Sequence, residues 1–183
     1  MKFRVTLLAL FLIALGSLAF AQQDKSKRPS PPEQATCKFP DGKAITVDYS
    51  SPRAKGRKIF GTSSDGALVP YGQVWRTGAN EATAMMNDTA LTVDGKDVPA
   101  GTYTLFTVPD KDKWTLIINK KTGEWGIPYK YESDELGRVN MNVSKTSGPV
   151  ENFTIAFDPM GSACTMHLDW ADTRASVQFV EKK

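Results

Sequence analysis

Charged and aromatic side chains that could bind a polar ligand are concentrated between residues 50 and 83. Arginine offers a planar set of donors that suits carboxylate or phosphate, and tryptophan offers a flat face for a sugar ring or a cation. Asparagine and glutamate can hold hydroxyl groups. The stretch therefore predicts a binding site for a glycan or a small anionic ligand, and the residues assigned to it are Arg53, Arg57, Tyr71, Trp75, Arg76, Asn80 and Glu81.

The same stretch also has a purely structural interpretation. In that case the loop is basic and solvated, Trp75 lies in the core, and Arg76 pairs with Glu81. Tryptophan is usually mostly buried, and a buried Arg–Glu pair could pin a long loop to the domain. The residues alone leave both interpretations open.

A second stretch, residues 119–138, combines aromatic rings with carboxylates. Such a mixture suits the rim of a sugar site, but it also suits a long connection whose rings cover one end of the core. The side chains concerned are Trp125, Tyr129, Tyr131, Glu132, Asp134 and Glu135.

Catalytic and cofactor motifs are weak, and we assign no catalytic residue, metal ligand or cofactor. His167 lies two residues from Asp169, as in a triad, but no serine occupies a G-x-S-x-G turn. One histidine and two distant cysteines do not supply a zinc site, and no glycine-rich phosphate loop is present. Glu81 and Glu124 could form a carboxylate pair that hydrolyses cell-envelope or extracellular polysaccharide. A structural envelope protein without a small ligand is the other alternative.

The first 21 residues read as a cleavable export signal. Lys2 and Arg4 give a positive start, residues 5–20 form an apolar run, and Ala19-Phe20-Ala21 gives small residues at a cleavage site. The run of 16 residues is shorter than the ~20 needed to cross a bilayer, which argues against a membrane anchor. We expect cleavage after Ala21 and a periplasmic or secreted protein.

Charge and hydropathy of the remaining 162 residues exclude two kinds of partner. Loss of Lys2 and Arg4 leaves 21 Lys and Arg against 20 Asp and Glu, a formal charge of +1. A nucleic-acid binder would carry a dominant basic surface, so no nucleic-acid partner is expected. No second apolar run is long enough to span a membrane, so no stable span is expected after cleavage.

Two cysteines, Cys37 and Cys164, stand near opposite ends of the chain. An even number of cysteines in an oxidising compartment favours a disulfide. Two buried free thiols are the alternative.

The pattern of hydrophobic residues predicts an all-β fold. Residues 22–35 are polar and proline-rich and read as a disordered spacer, followed by one domain over residues 36–183. In that domain apolar residues alternate with polar ones in short runs separated by turn residues, as in Ile45, Val47 and Tyr49. The prediction is an antiparallel β-sandwich of about eight to ten strands, with long loops at 50–80 and 119–138.

Two blocks of the sequence form a distinctive pattern. The first comprises Ser51-Pro52-Arg53 and residues 56–61, 68–72 and 74–83, and the second comprises residues 99–103, 106–109 and 114–117. Together they resemble the signature of an exported bacterial family, the domain of unknown function DUF2911. The likeness extends over residues 41–180, with an apparent insertion at residues 62–67. It implies a secreted or periplasmic bacterial β domain and no particular reaction.

Overall fold

The computed structural model describes residues 24–183. The predicted signal peptide, residues 1–21, lies outside the described residues. Three 3-10 turns are present, at Lys25–Lys27, Ser63–Asp65 and Glu132–Asp134. In the described part of the chain, no helix has the length and apolar character to traverse a bilayer. The strands are β1 (Pro32–Lys38), β2 (Ala44–Ser50), β3 (Phe60–Gly61), β4 (Val69–Pro70), β5 (Thr83–Asn87), β6 (Leu91–Val93), β7 (Lys96–Val98), β8 (Gly101–Val108), β9 (Lys113–Asn119), β10 (Glu135–Met160) and β11 (Ala163–Glu181).

Nine of the strands form one antiparallel sheet in the order β1-β2-β5-β8-β9-β10-β11-β6-β7. The remaining two, β3 and β4, pair with each other in parallel within the long loop between β2 and β5. The predicted fold class is confirmed: the protein is mostly β, antiparallel, and its main sheet has a strand number within the predicted range.

The two layers of the domain are parts of one continuous sheet that folds over on itself. The Cys37–Cys164 disulfide joins β1 to β11, which are far apart in the sheet order. The backbone N–H of Ile155 on β10 likewise donates to the Tyr49 hydroxyl on β2, at 3.1 Å. Because these contacts cross the interior, the inner faces of distant strands share one core.

The fold-over is made by bends in the two longest strands. In β11, buried residues occupy even positions from Cys164 to Trp170 and odd positions from Ala175 to Phe179. Ala171, between these two sets, has a positive φ of 53°, and this irregularity changes which face points inward. Strand β10 shifts its register in the corresponding region, between Lys145 and residue 154.

Aromatic rings fill the core where the loop between β2 and β5 packs onto the sheet. Trp75 stacks on Trp170, with 5.8 Å between ring centroids, and meets Phe153 edge-on at 4.9 Å. Phe60 lies edge-on to Trp114 at 4.8 Å. Offset and edge-to-face contacts of this kind add to the free energy gained from burying the rings.

The segment predicted to be a disordered spacer is partly a strand. Residues 32–35 belong to β1, where Pro32 faces Ser50 and Ala35 faces Val47 of β2. Every second residue of β1 from Ala35 onward is buried, so the strand covers the core even though its first residues are polar. The ordered domain therefore begins before residue 36.

Candidate functional site

A cavity of about 520 Å³ lies beside the loop that connects β2 to β5. This volume is in the range of small-molecule sites. Both long loops contribute to it, so the two stretches that could carry polar chemistry meet in space. Its lining comprises Ser30, Pro52, Arg57, Leu68, Val69, Pro70, Gln73, Val74, Trp75, Arg76, Gly78, Ala79, Asn80, Trp125, Ile127 and Trp170.

Arg76 is the half-buried cation of this cavity. Its guanidinium lies over the ring of Trp125, 5.2 Å from the ring centroid, which is cation–π geometry. Its Nη1 donates to the backbone oxygen of Asn80. No other hydrogen bond from Arg76 and no ion pair to it occurs within residues 24–183, and burial lowers the pKa of this guanidinium below its ordinary value. The Nε–Nη2 edge is therefore free to donate hydrogen bonds to an anionic partner.

Trp75 forms an inner wall of the cavity. It is 9 % exposed, because it packs into the aromatic core described above. Its indole Nε1 donates to the backbone oxygen of Gly78 at 2.9 Å, so the ring is held in place by both packing and hydrogen bonding. Trp75 can thus present one edge to a bound molecule, whereas a freely stacking platform would require more exposure.

The backbone from Trp75 to Asn80, called here the 75–80 turn, is held in an unusual conformation. Thr77 and Asn80 have positive φ angles of 56° and 57°, which is rare for a β-branched residue such as threonine. The Thr83 hydroxyl donates to the Thr77 oxygen at 2.7 Å, and Gly78 is so close to the Ser50 backbone that a Cβ would lie 2.9 Å from its oxygen. Backbone strain maintained by surrounding contacts is common at binding sites.

Arg57 lines the cavity and Arg53 lies beside it, and both bond to backbone oxygens. Arg53 Nη1 donates to the oxygen of Ser51 at 3.0 Å, and Arg57 Nε donates to the oxygen of Ala54 at 3.0 Å. Neither has a carboxylate within ion-pair distance in the described chain. The two arginines line a smaller recess of about 310 Å³ together with Pro29, Ser30 and Lys55. Ser30 and Arg57 line both spaces, so the basic recess adjoins the larger cavity.

Glu81 and Tyr71 are outside the lining of both spaces. The Glu81 carboxylate is 2.8 Å from Arg28 Nη1 and 3.2 Å from Lys25 Nζ, in the segment that precedes β1. Hydrogen bonding by its own backbone N–H, and then by Arg28 and Lys25, lowers the pKa of Glu81 to about 2. The Arg76–Glu81 pair of the structural interpretation is not formed, because each residue faces a different partner.

Three exposed apolar residues complete the rim of the cavity; of these, only Trp125 is named in the sequence-based predictions, as one of the aromatics of the second stretch. They are Leu68, Trp125 and Ile127, with exposures of 44, 55 and 37 %. Gly126 makes this arrangement sterically feasible: its φ is +93°, and a Cβ there would lie 2.8 Å from the Ala82 Cβ and 3.4 Å from that of Arg76. The loop can approach Arg76 closely only because residue 126 has no side chain.

The rest of the second stretch forms a closed polar cluster against Phe106. The Tyr129 hydroxyl donates to Glu135 Oε1 at 2.7 Å, and Asn119 Nδ2 donates to the Tyr131 oxygen at 2.7 Å. Burial, and then the bond to Glu135, raises the pKa of Tyr129. These aromatics pack as a structural unit, which separates them from Trp125 on the cavity rim.

The acids and the histidine that catalysis would need are engaged elsewhere. Glu124 accepts a bond from the Tyr131 hydroxyl at 3.2 Å, and neither it nor Glu81 contributes to the cavity lining. His167 is 2.6 Å from Asp158, whereas Asp169 pairs with Arg174. Across residues 24–183, no cluster of three or more His, Cys, Asp or Glu side chains could hold a metal ion.

In the described chain, fold and site together define an antiparallel β domain with a basic, aromatic-lined cavity between two loops. The chain belongs to the family described as protein of unknown function (DUF2911), whose family model matches residues 30–179. Comparison with curated proteins and with solved structures gave no match. The matched range includes β1 through most of β11 and every described lining residue of the cavity.

Proposed function

We propose that this protein is an exported, non-enzymatic binding domain whose cavity beside Arg76 takes a glycan or a small anionic ligand. The observation that carries the proposal is the state of Arg76: a half-buried guanidinium with no carboxylate partner in the described chain. Partial burial of a charge without a counter-charge costs free energy of folding. Such a cost is understandable at a site where a ligand supplies the missing partner.

The surroundings of Arg76 support the same function. Trp125 covers the guanidinium and the Asn80 oxygen fixes one of its nitrogens, so the remaining donors are oriented before a ligand arrives. Preorganised donors lose less conformational entropy on binding than mobile ones. Arg57 adds a second positive charge to the same space, which favours the approach of anions.

Export is inferred from the leader sequence together with the disulfide. A bond between Cys37 and Cys164 persists in oxidising compartments and is uncommon in a reducing cytoplasm. N-terminal sequencing of the protein from the producing cells should therefore begin at Gln22. A mature N-terminus at Met1 would contradict export by this leader.

A thermal-shift screen against glycans and small anions tests the binding function. At least one of these two classes of ligand should raise the melting temperature of the wild-type protein in a saturable manner. Arg76→Gln should remove that shift while the free variant remains folded. Lys145→Gln is the matched control, since it removes one positive charge from an exposed side chain outside the cavity. If Arg76→Gln unfolds the domain by itself, the loop signature has a structural role and the proposal is wrong.

A further inference from the structure

We infer that the ligand of the cavity is an amphipathic anion, with one carboxylate or similar oxyanion bound by Arg76 and an apolar body along the rim of Leu68, Trp125 and Ile127. This inference rests on the proposed function and selects one ligand class within it. It is carried by three features of the cavity: the free edge of Arg76, the apolar rim, and the balance of donors and acceptors.

The free edge of Arg76 matches a planar oxyanion. A guanidinium can give two parallel hydrogen bonds to a carboxylate through Nε and one terminal nitrogen. In Arg76 the other terminal nitrogen, Nη1, is occupied by the Asn80 oxygen, so the Nε–Nη2 edge remains for this purpose. The contact with Trp125 restricts the plane of the guanidinium. The acid group of the ligand is therefore expected at this edge.

The rim of the cavity is apolar to an unusual degree for this protein. The described chain has five exposed large hydrophobic residues, and three of them, Leu68, Trp125 and Ile127, line this one space. Single exposed apolar residues are common, whereas a contiguous group marks a binding surface. The inner wall continues the same character with Val69 and Val74. An apolar ligand body would remove this rim from water.

Donors outnumber acceptors among the polar side chains of the cavity. Arginine side chains only donate, and the described lining residues include no aspartate or glutamate. The indole N–H groups of Trp75 and Trp170 already donate to backbone oxygens and are not counted. Side-chain acceptors come only from Ser30, Gln73 and Asn80. A sugar presents many hydroxyl groups that each need an acceptor as well as a donor, whereas an oxyanion only accepts. The cavity therefore suits an acid with an apolar body better than it suits a sugar ring.

The size of the cavity and the charges around it are compatible with one small acid as the ligand. The volume of about 520 Å³ is in the range of sites that hold one small molecule. The adjoining recess is lined by Arg53, Lys55 and Arg57, with no acidic residue in its described lining. Its positive side chains raise the local concentration of anions beside the cavity.

Matched pairs of probes can separate the contributions of charge and apolar body. We would titrate octanoate against octanamide, and cinnamate against cinnamamide, into the protein expressed with its own leader, by calorimetry at low ionic strength. Galacturonate and its dimer would represent acidic sugars. Each acid should bind at least about tenfold more tightly than its amide, a difference of about 1.4 kcal/mol, because only the acid can make a charge-assisted bidentate contact. Each apolar acid should also bind more tightly than either uronate.

Two variants of Arg76 test whether the preference for acids over amides arises in the cavity. Arg76→Gln should remove most of the preference for the acid over its amide, and Arg76→Lys should restore part of that preference. Equal binding of acid and amide, or tighter binding of the uronates, would overturn this inference and leave the proposed binding function in place. Absence of binding by every probe, uronates included, would overturn the inference, and a negative thermal-shift screen would overturn the proposed function separately.

Discussion

The guanidinium of Arg76 lies over the indole ring of Trp125, although 48 residues separate the two in the sequence. This contact joins the two long loops at the mouth of the cavity. It positions a cation that no described carboxylate neutralises, and it places an exposed aromatic face at the entrance.

Replacement of Trp125 should weaken ligand binding without destabilising the protein. The ring is 55 % exposed, so Trp125→Ala should change the free energy of unfolding by no more than about 1 kcal/mol. It should weaken binding about tenfold, because the variant loses both the aromatic wall and the restraint on Arg76. Urea unfolding and calorimetry measure the two effects, with Met160→Ala as a control for an exposed apolar residue elsewhere. A large loss of stability, with binding retained, would argue against this role for Trp125.

The Glu81 carboxylate, which accepts hydrogen bonds from its own backbone N–H and from Arg28, should make the stability of the protein depend on acid pH. The pKa of Glu81 is lowered to about 2 in the folded protein, from an ordinary value of 4.5. The stabilisation is therefore complete above pH 4.5 and is lost as the pH falls towards 2. Because the Glu81 side chain is 42 % exposed, Glu81→Gln should cost no more than about 1 kcal/mol at neutral pH.

Thermal denaturation of the wild type and Glu81→Gln between pH 2 and 7 measures this dependence. The difference between the two proteins should diminish at the acid end of the range. Glu33→Gln serves as the control, since Glu33 is exposed and has no cationic partner in the described chain. A constant difference over the whole range would refute the assignment to this carboxylate.

Gly126 should be essential for the shape of the cavity rim. A side chain there would contact the Ala82 Cβ at 2.8 Å and the Phe106 ring at 3.0 Å, at a φ of +93°. Gly126→Ala is expected to cost about 3 kcal/mol and to weaken binding, since Trp125 and Ile127 would move. Gly123→Ala is the matched control in the same loop, because its φ is also positive but its surroundings are open. Gly123→Ala should lower the free energy of unfolding by only about 1 kcal/mol. Equal losses for the two variants would show that crowding at Gly126 is unimportant.

The Cys37–Cys164 disulfide should contribute strongly to stability. It links positions 127 residues apart and so restricts the unfolded chain over most of its length. Replacement of both cysteines by alanine should lower the free energy of unfolding by about 2–5 kcal/mol. Urea unfolding of the double variant, and of wild type with and without reductant, would measure this. Two alkylatable thiols in the native, unreduced protein would contradict the bond itself.

The strands could be predicted from the sequence because alternation of apolar residues depends only on local pleating. Ile45, Val47 and Tyr49 are examples that lie buried on β2 as expected. The continuity of β11 could not be predicted in the same way. Its buried positions change phase around Ala171, so the alternation reads as two separate strands. Only contacts across the interior show that one strand bends through both layers.

The candidate site was less accessible to sequence reasoning, because it depends on contacts between distant segments. Arg57, Trp75, Arg76 and Asn80 share the cavity, whereas Trp125 comes from a different loop and was not assigned to the same site. Its position depends on Gly126, whose close approach to Ala82 has no signature in the sequence pattern. Arg28, the partner of Glu81, lies in a polar segment whose composition resembles a disordered spacer.

The indole N–H signals of the four tryptophans give the most direct test that the cavity binds a ligand. Trp75, Trp125 and Trp170 line the cavity, whereas Trp114 is buried in the core outside it. On titration with cinnamate, the Trp125 signal in a proton–nitrogen correlation spectrum should shift most and reach saturation, and the Trp114 signal should remain unchanged. Saturable binding of cinnamate with no shift at Trp125, or equal shifts of all four signals, would contradict a ligand site at this cavity.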